Sequence, residues 1–267
     1  MASGKDDNRG ASDVSSAGKT PAGKRDASGS EQSPARKRDD AALSSRSEVD
    51  AFLDAVKQTP PVATGDGRGR LIFSLDATAS RQRTWDRAMA LQSDMFIHTR
   101  GIGSLDVQLV YYRGYDECRA SPWLGNADKV IAMMRKVSCL AGTTQIARVL
   151  KHSLAECRSE AVQALVFIGD CVEENVDELG NLAGQARLLG LPVFIFQEGY
   201  EPHASRVFAQ MAKLSGGAHC RFNESSARQL GELLNAVAAY AAGGRAALQQ
   251  LEQQGSRQAG SLLEQLS

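Results

Sequence analysis

No uninterrupted apolar run in these 267 residues approaches the roughly 18 needed for a membrane-spanning helix. The N-terminus lacks the apolar stretch of a secretory signal, so a cytoplasmic location is expected. Excess charge of either sign is also missing. Thirty-one Lys and Arg balance 31 Asp and Glu, so whole-chain charge offers no attraction to nucleic acid or an acidic membrane surface. The five cysteines, Cys118, Cys139, Cys157, Cys171 and Cys220, are scattered and odd in number. Without a CxxC pair or a Cys/His cluster at zinc spacing, they exclude a disulfide framework and a structural zinc knot, and read as reduced, mostly buried thiols. There is no GxSxG elbow and no HExxH helix, and His98, His152, His203 and His219 have no motif around them.

Residues 1–46 are rich in Ser, Ala, Gly, Asp, Lys and Arg, and Val14 is almost their only sizeable aliphatic side chain before Leu43. Such a segment buries too little apolar surface to offset its ordering entropy and is expected to be disordered. Its basic clusters, Lys24-Arg25 and Arg36-Lys37-Arg38, alternate with Asp26, Asp39 and Asp40, the pattern of a solvated tail. "SSAGKT" ends like a phosphate-binding loop, but the required first glycine falls at Asp13 and no strand precedes it. Residues 47–69 read as a short helix and linker. Ser47 stands in a capping position, Val49, Phe52, Leu53 and Val56 keep helical spacing, and Pro60-Pro61 stops the run.

From Arg70 to about Tyr240 apolar strands alternate with amphipathic helices. Strands are expected at 70–75, 105–113, 161–169, 191–197 and 218–222, with a short edge strand in "ECRASPWL", where Pro122 is tolerated. Helices are expected at 81–99, 127–137, 145–157, 176–190, 202–217 and 227–240. This alternation predicts a three-layer α/β domain over 70–241, its mostly parallel sheet covered by helices on both faces. A Gln-rich tail with scattered leucines follows at 242–267.

Ligands on such sheets bind beyond the carboxyl ends of the strands. The first core strand ends in Asp76, with Thr78 and Ser80 after it. The strand at 161–169 ends in Gly169-Asp170, with Glu173 and Glu174 nearby, and Gly142-Thr143-Thr144 precedes a helix. If these segments converge, they supply two carboxylates and at least three hydroxyls, an inventory suited to a hard divalent cation such as Mg²⁺. Neutral hydroxyl ligands leave the metal electron-poor and able to accept a further carboxylate. No softer ligand type clusters in the sequence, which argues against zinc or copper. Glu173 and Glu174 read as the start of the next helix, where the macrodipole favours acids.

"DATAS" resembles the DxSxS motif of the von Willebrand factor A (VWA) domain, "GTT" its second motif and "FIGD" its third. In that family the three segments form the metal-ion-dependent adhesion site (MIDAS). The resemblance implies a VWA fold, Rossmann-like, with one antiparallel edge strand. It implies that Asp76, Thr78, Ser80, Thr144 and Asp170 hold Mg²⁺ or Mn²⁺. It also implies a non-enzymatic module that binds a partner's Asp or Glu, in the manner of small stand-alone bacterial relatives that work beside AAA+ ATPases or chaperones. Thr78 replaces the family's usual serine, and Cys171 stands where glycine is common.

A haloacid-dehalogenase-like Mg²⁺ phosphotransferase, with Asp76 as nucleophile, is the rival. Its chemistry requires a second acid two positions on, and that position is Thr78, which transfers no proton near neutral pH.

Overall fold

The computed structural model describes residues 46–58, 69–86, 89–90, 93, 105–222 and 235–241. They fall within one compact unit, Ala35–Ser267. The tails expected at 1–46 and 242–267 lie outside the described residues except for Arg46. Among the described residues, no helix is long and apolar enough to cross a membrane.

The elements run in the order α1 (Arg46–Gln58), β1 (Gly69–Asp76), a 3₁₀ turn (Ala79–Arg81), β2 (Leu105–Arg113), β3 (Glu117–Ala120), α2 (Ala127–Met134), α3 (Ile146–Ser159), β4 (Ala164–Gly169), α4 (Val176–Leu188), β5 (Val193–Glu198), α5 (Pro202–Ser215) and β6 (His219–Phe222). Residues 235–241 are helical. The sheet order is β3-β2-β1-β4-β5-β6. Every neighbouring pair is parallel except β2–β3, so the short strand carrying "ECRA" is the antiparallel edge. The ladder breaks at Pro122, which has no N–H, after Ser121 has donated its amide to the Leu109 carbonyl at 2.8 Å and accepted the Leu109 amide on its Oγ at 2.9 Å.

The central strands are continuously apolar because both sheet faces are covered. Period two then divides their side chains between two cores. Leu71, Phe73 and Leu75 of β1, with Val166 and Ile168 of β4, join Phe194 and Phe196 of β5 on one face. Ile72, Leu165, Phe167, Val193 and Ile195 lie on the other, under α3, α4 and α5. Tyr112 belongs to this second core and stacks on Phe167, the ring centroids 6.3 Å apart.

Helix ends follow local chemistry. Asn126 caps α2 by accepting the Asp128 and Lys129 amides, and Asn175 caps α4 by accepting the Glu178 amide at 2.9 Å. Glu201 caps α5, which has Pro202 in its first turn and ends at Gly216 with φ +79°.

Two segments differ from the sequence pattern. The helix α1, outside the VWA resemblance, shares the domain's core. Phe52 is 2% exposed, its ring 5.9 Å from Phe194 and 5.1 Å from Phe196, and Arg221 of β6 pairs with Glu48 at 3.0 Å. After β1 the chain makes a 3₁₀ turn before helical residues appear from Trp85, because Thr78 to Arg81 are held back by contacts to Asp76 and Glu198. The end of the helix expected to reach residue 99 lies outside the described residues.

Candidate functional site

The parallel register of β1 and β4 brings the two aspartates together. Leu75 pairs with Ile168, so Asp76 leaves β1 beside Gly169, and Asp170 follows at once. A Cβ on Gly169 would meet the Phe167 ring at 2.8 Å and Asp76 Cβ at 3.5 Å. Glycine is what allows the strand end to pass this close. Ligand-capable atoms of Asp76, Asp170 and Cys171 all lie within 4.8 Å of one another.

Asp76 is fully buried. Its Oδ1 accepts the Thr78 amide at 2.8 Å and its Oδ2 accepts the Tyr112 hydroxyl at 2.9 Å. Tyr112 stands directly across the β1–β2 ladder from Asp76, so both side chains project to the same face. Burial raises the Asp76 pKa most, and the Asp170 charge adds to it, while the Thr78 hydrogen bonds and the Arg81 charge act the other way. Burial, and then the Asp76 charge, holds the Tyr112 hydroxyl well above its ordinary range, so it remains a donor.

The Thr78 and Ser80 hydroxyls lie 3.0 Å apart, with Thr78 buried and Ser80 exposed. Thr78 also bridges to Leu140, whose amide bonds the Ala77 carbonyl at 3.0 Å. Beneath this turn Arg81 is 1% exposed. Its guanidinium donates to the Asp76 carbonyl and pairs with Glu198, each at 2.8 Å, and lies over the Trp85 ring. A buried Arg with these partners holds the first loop rigidly against β5.

Thr144 sits on a different set of contacts. Its hydroxyl donates to Glu174 Oε2 at 2.7 Å and accepts the Glu173 amide at 3.1 Å, and its own amide donates to Glu173 Oε2 at 2.9 Å. Glu174 Oε1 also accepts the Ala147 amide at 2.8 Å. The two glutamates therefore close the N-terminus of α3, which precedes them, while α4 starts on Asn175. The expectation that they begin the following helix is corrected, because the free amides of α3 lie across the loop from β4. Burial raises the Glu174 pKa, opposed by the Thr144 and α3 hydrogen bonds.

Asp170 Oδ1 is buried and has no hydrogen-bond partner. An orphaned carboxylate oxygen beside a second carboxylate is costly unless a cation or water satisfies it. The residues present fit a divalent cation in that respect, with oxygen donors on Asp76, Asp170, Thr78 and Ser80. The donor set is not purely oxygen, however. Cys171 places sulfur among the carboxylates, which corrects the view that no soft ligand clusters here. Burial, with Asp170 and Asp76 nearby, pushes the Cys171 thiol upward.

Tyr112, Arg81 and the orientation of Cys171 carried no sequence signal. Two of the histidines are tied to neighbouring strands, His152 to Gln108 at 2.7 Å and His219 to Gln197 at 3.1 Å, while His203 is exposed on α5. His98 lies outside the described residues.

Neither a protein-family model nor a curated protein sequence matches the chain. Solved structures do resemble it. A von Willebrand factor type A protein from Catenulispora acidiphila is 11% identical, with a TM-score of 0.50, over 64% of this chain and 43% of that one. Proximal thread matrix protein 1 from the mussel byssus is 13% identical, with a TM-score of 0.51, over 67% and 48%. A pilus adhesin from Lactobacillus rhamnosus GG, in an open conformation, is 10% identical, with a TM-score of 0.50, over 63% and 29%. This chain thus spans less than half of each of these three. At such identities the likeness shows the fold, which is the von Willebrand factor type A fold.

Proposed function

We propose that the protein is a non-enzymatic protein-binding module that holds a divalent cation at the carboxyl edge of its sheet. The observation that carries this reading is Asp170 Oδ1, buried and unpartnered, in a cluster with Asp76. Asp76 and Asp170, with the Thr78 and Ser80 hydroxyls, would hold the ion, and Thr144 would support the site from the α3 side. Bound Mg²⁺ or Mn²⁺ would supply a positive, Lewis-acidic centre to which a partner's Asp or Glu adds its carboxylate. Tyr112 and the Thr78 amide orient Asp76, and Arg81 anchors the loop on which the hydroxyls sit. An AAA+ ATPase or chaperone partner fits this reading as an expectation from the resemblance.

The phosphotransferase alternative is disfavoured by geometry. A nucleophilic carboxylate must reach substrate, and Asp76 is fully buried with a donor on each oxygen.

The test is calorimetric titration of chelator-treated protein with Mg²⁺ and Mn²⁺, followed by capture of protein partners in the presence and absence of chelator. Wild type should bind a cation and capture partners only when metal is present. Asp170→Asn should lose both. Metal-independent capture that Asp170→Asn leaves intact would refute the proposal.

A further inference from the structure

We infer that Cys171 is a sulfur donor to this site, making it selective for thiophilic divalent cations such as Zn²⁺ and Co²⁺ over Mg²⁺. The inference rests on the reading of the strand-end cluster as a cation site and replaces the Mg²⁺ or Mn²⁺ of that reading with a softer ion.

Three observations support it. Cys171 Sγ lies within 4.8 Å of ligand-capable oxygens of both Asp76 and Asp170, so the side chain turns into the cluster rather than away from it. Gly169 ends β4 beside the end of β1, so Asp170 and Cys171 follow it next to Asp76. Asp170 Oδ1 is buried without a partner, so at least one carboxylate oxygen of the same cluster has a lone pair uncommitted to the protein. Finally, Asp76 accepts one bond on each oxygen, from Thr78 and Tyr112, which leaves each oxygen a second lone pair for an ion shared with Asp170 and Cys171.

The chemistry of that pair discriminates between metals. Mg²⁺ requires near-octahedral oxygen ligation and has little affinity for sulfur. Zn²⁺ accepts mixed sulfur and oxygen ligands in a small tetrahedral shell. On ligation the thiol proton passes to solvent as the sulfur–metal bond forms, with no change of oxidation state. The carboxylates and the thiolate then neutralise the ion more fully than two carboxylates and two hydroxyls would.

The experiment titrates the chelator-treated full-length protein with Co²⁺ and follows absorbance for a sulfur-to-cobalt charge-transfer band in the near ultraviolet. Zn²⁺ and Mg²⁺ affinities are measured by calorimetry on wild type, Cys171→Ser, Cys171→Ala and Asp170→Asn, each checked for native circular dichroism. Wild type should show the band, and both Cys171 variants should lose it while retaining Mg²⁺ binding. Their Zn²⁺ affinity should fall at least about 10–100-fold, the loss typical of removing even a supporting contact from a metal site. Asp170→Asn should weaken both metals. If cations bind in an Asp170-dependent manner, with no band and no effect of the Cys171 variants, the inference on sulfur fails and the cation-site reading stands. If wild type binds neither these three metals nor Mn²⁺, both fail.

Discussion

Tyr112→Phe removes one oxygen atom from the centre of the site and little else. The ring should stay in place, because it is fully buried and stacks on Phe167. What is lost is the 2.9 Å hydrogen bond to Asp76 Oδ2. A hydrogen bond to a charged acceptor contributes about 1.5–3 kcal/mol, and a buried carboxylate oxygen left bare loses the most. For a domain of this size each kcal/mol moves Tm by about 2–4 °C, so Tm should drop by about 3–12 °C in metal-free protein. The effect should be largest where Asp76 is ionised and shrink as pH falls below its raised pKa, since a protonated Asp76 no longer needs the donor. Thermal unfolding in chelator across a pH series measures this, with near-ultraviolet circular dichroism checking the packing. A double-mutant cycle with Asp76→Asn should return a coupling of similar size. A Tyr112→Phe protein within about 0.5 kcal/mol of wild type at neutral pH, the range of an ordinary surface change, would refute the pairing.

Phe52→Ala should destabilise the domain by about 3–5 kcal/mol in urea unfolding, because it empties the space α1 fills between Phe194 and Phe196; a loss under about 1 kcal/mol would show that α1 is not part of the core. His219, half-buried and close to Arg221, has its pKa lowered by desolvation and then by the Arg221 charge, from 6.5 to about 4. Between those values the unfolded chain takes up a proton that the folded chain refuses. Stability should therefore fall by roughly 3 kcal/mol as pH drops from about 6.5 to about 4, and His219→Gln should flatten that part of the curve. Gly142→Ala should cost about 1–3 kcal/mol or more, since a Cβ there would lie 1.9 Å from the Gly114 carbonyl oxygen and must push the backbone away; unchanged urea stability would contradict that close approach.

Gly142 also has a structural role that its motif does not state. It belongs to the "GTT" pattern, yet its physical role is the close approach to Gly114, which also receives the Thr143 amide at 3.2 Å. Arg81 was equally opaque. In sequence it is one of several arginines opening a helix. In the fold it is almost completely buried, joined to Glu198 across 117 positions. Glu173 and Glu174 looked like the first turn of their own helix, and instead satisfy the amides of one already passed.

The alternation of apolar strands and amphipathic helices determined the α/β class and the covered sheet, because burial periodicity is written locally in each segment, while the antiparallel direction of the edge strand came only from the resemblance and is seen in the β2–β3 pairing. The alternation also placed Asp76 and Asp170 at strand ends, since carboxylates cannot continue a buried apolar run without partners, but that the two strands are neighbours came from the sheet order. Only the tertiary structure decided which atoms meet there. Tyr112 reaches Asp76 through strand register, Thr144 is claimed by two glutamates, and Cys171 turns its sulfur toward the carboxylates. Register and loop direction depend on how separate segments pack together, and residues distant in sequence acquire a common site only once that packing exists.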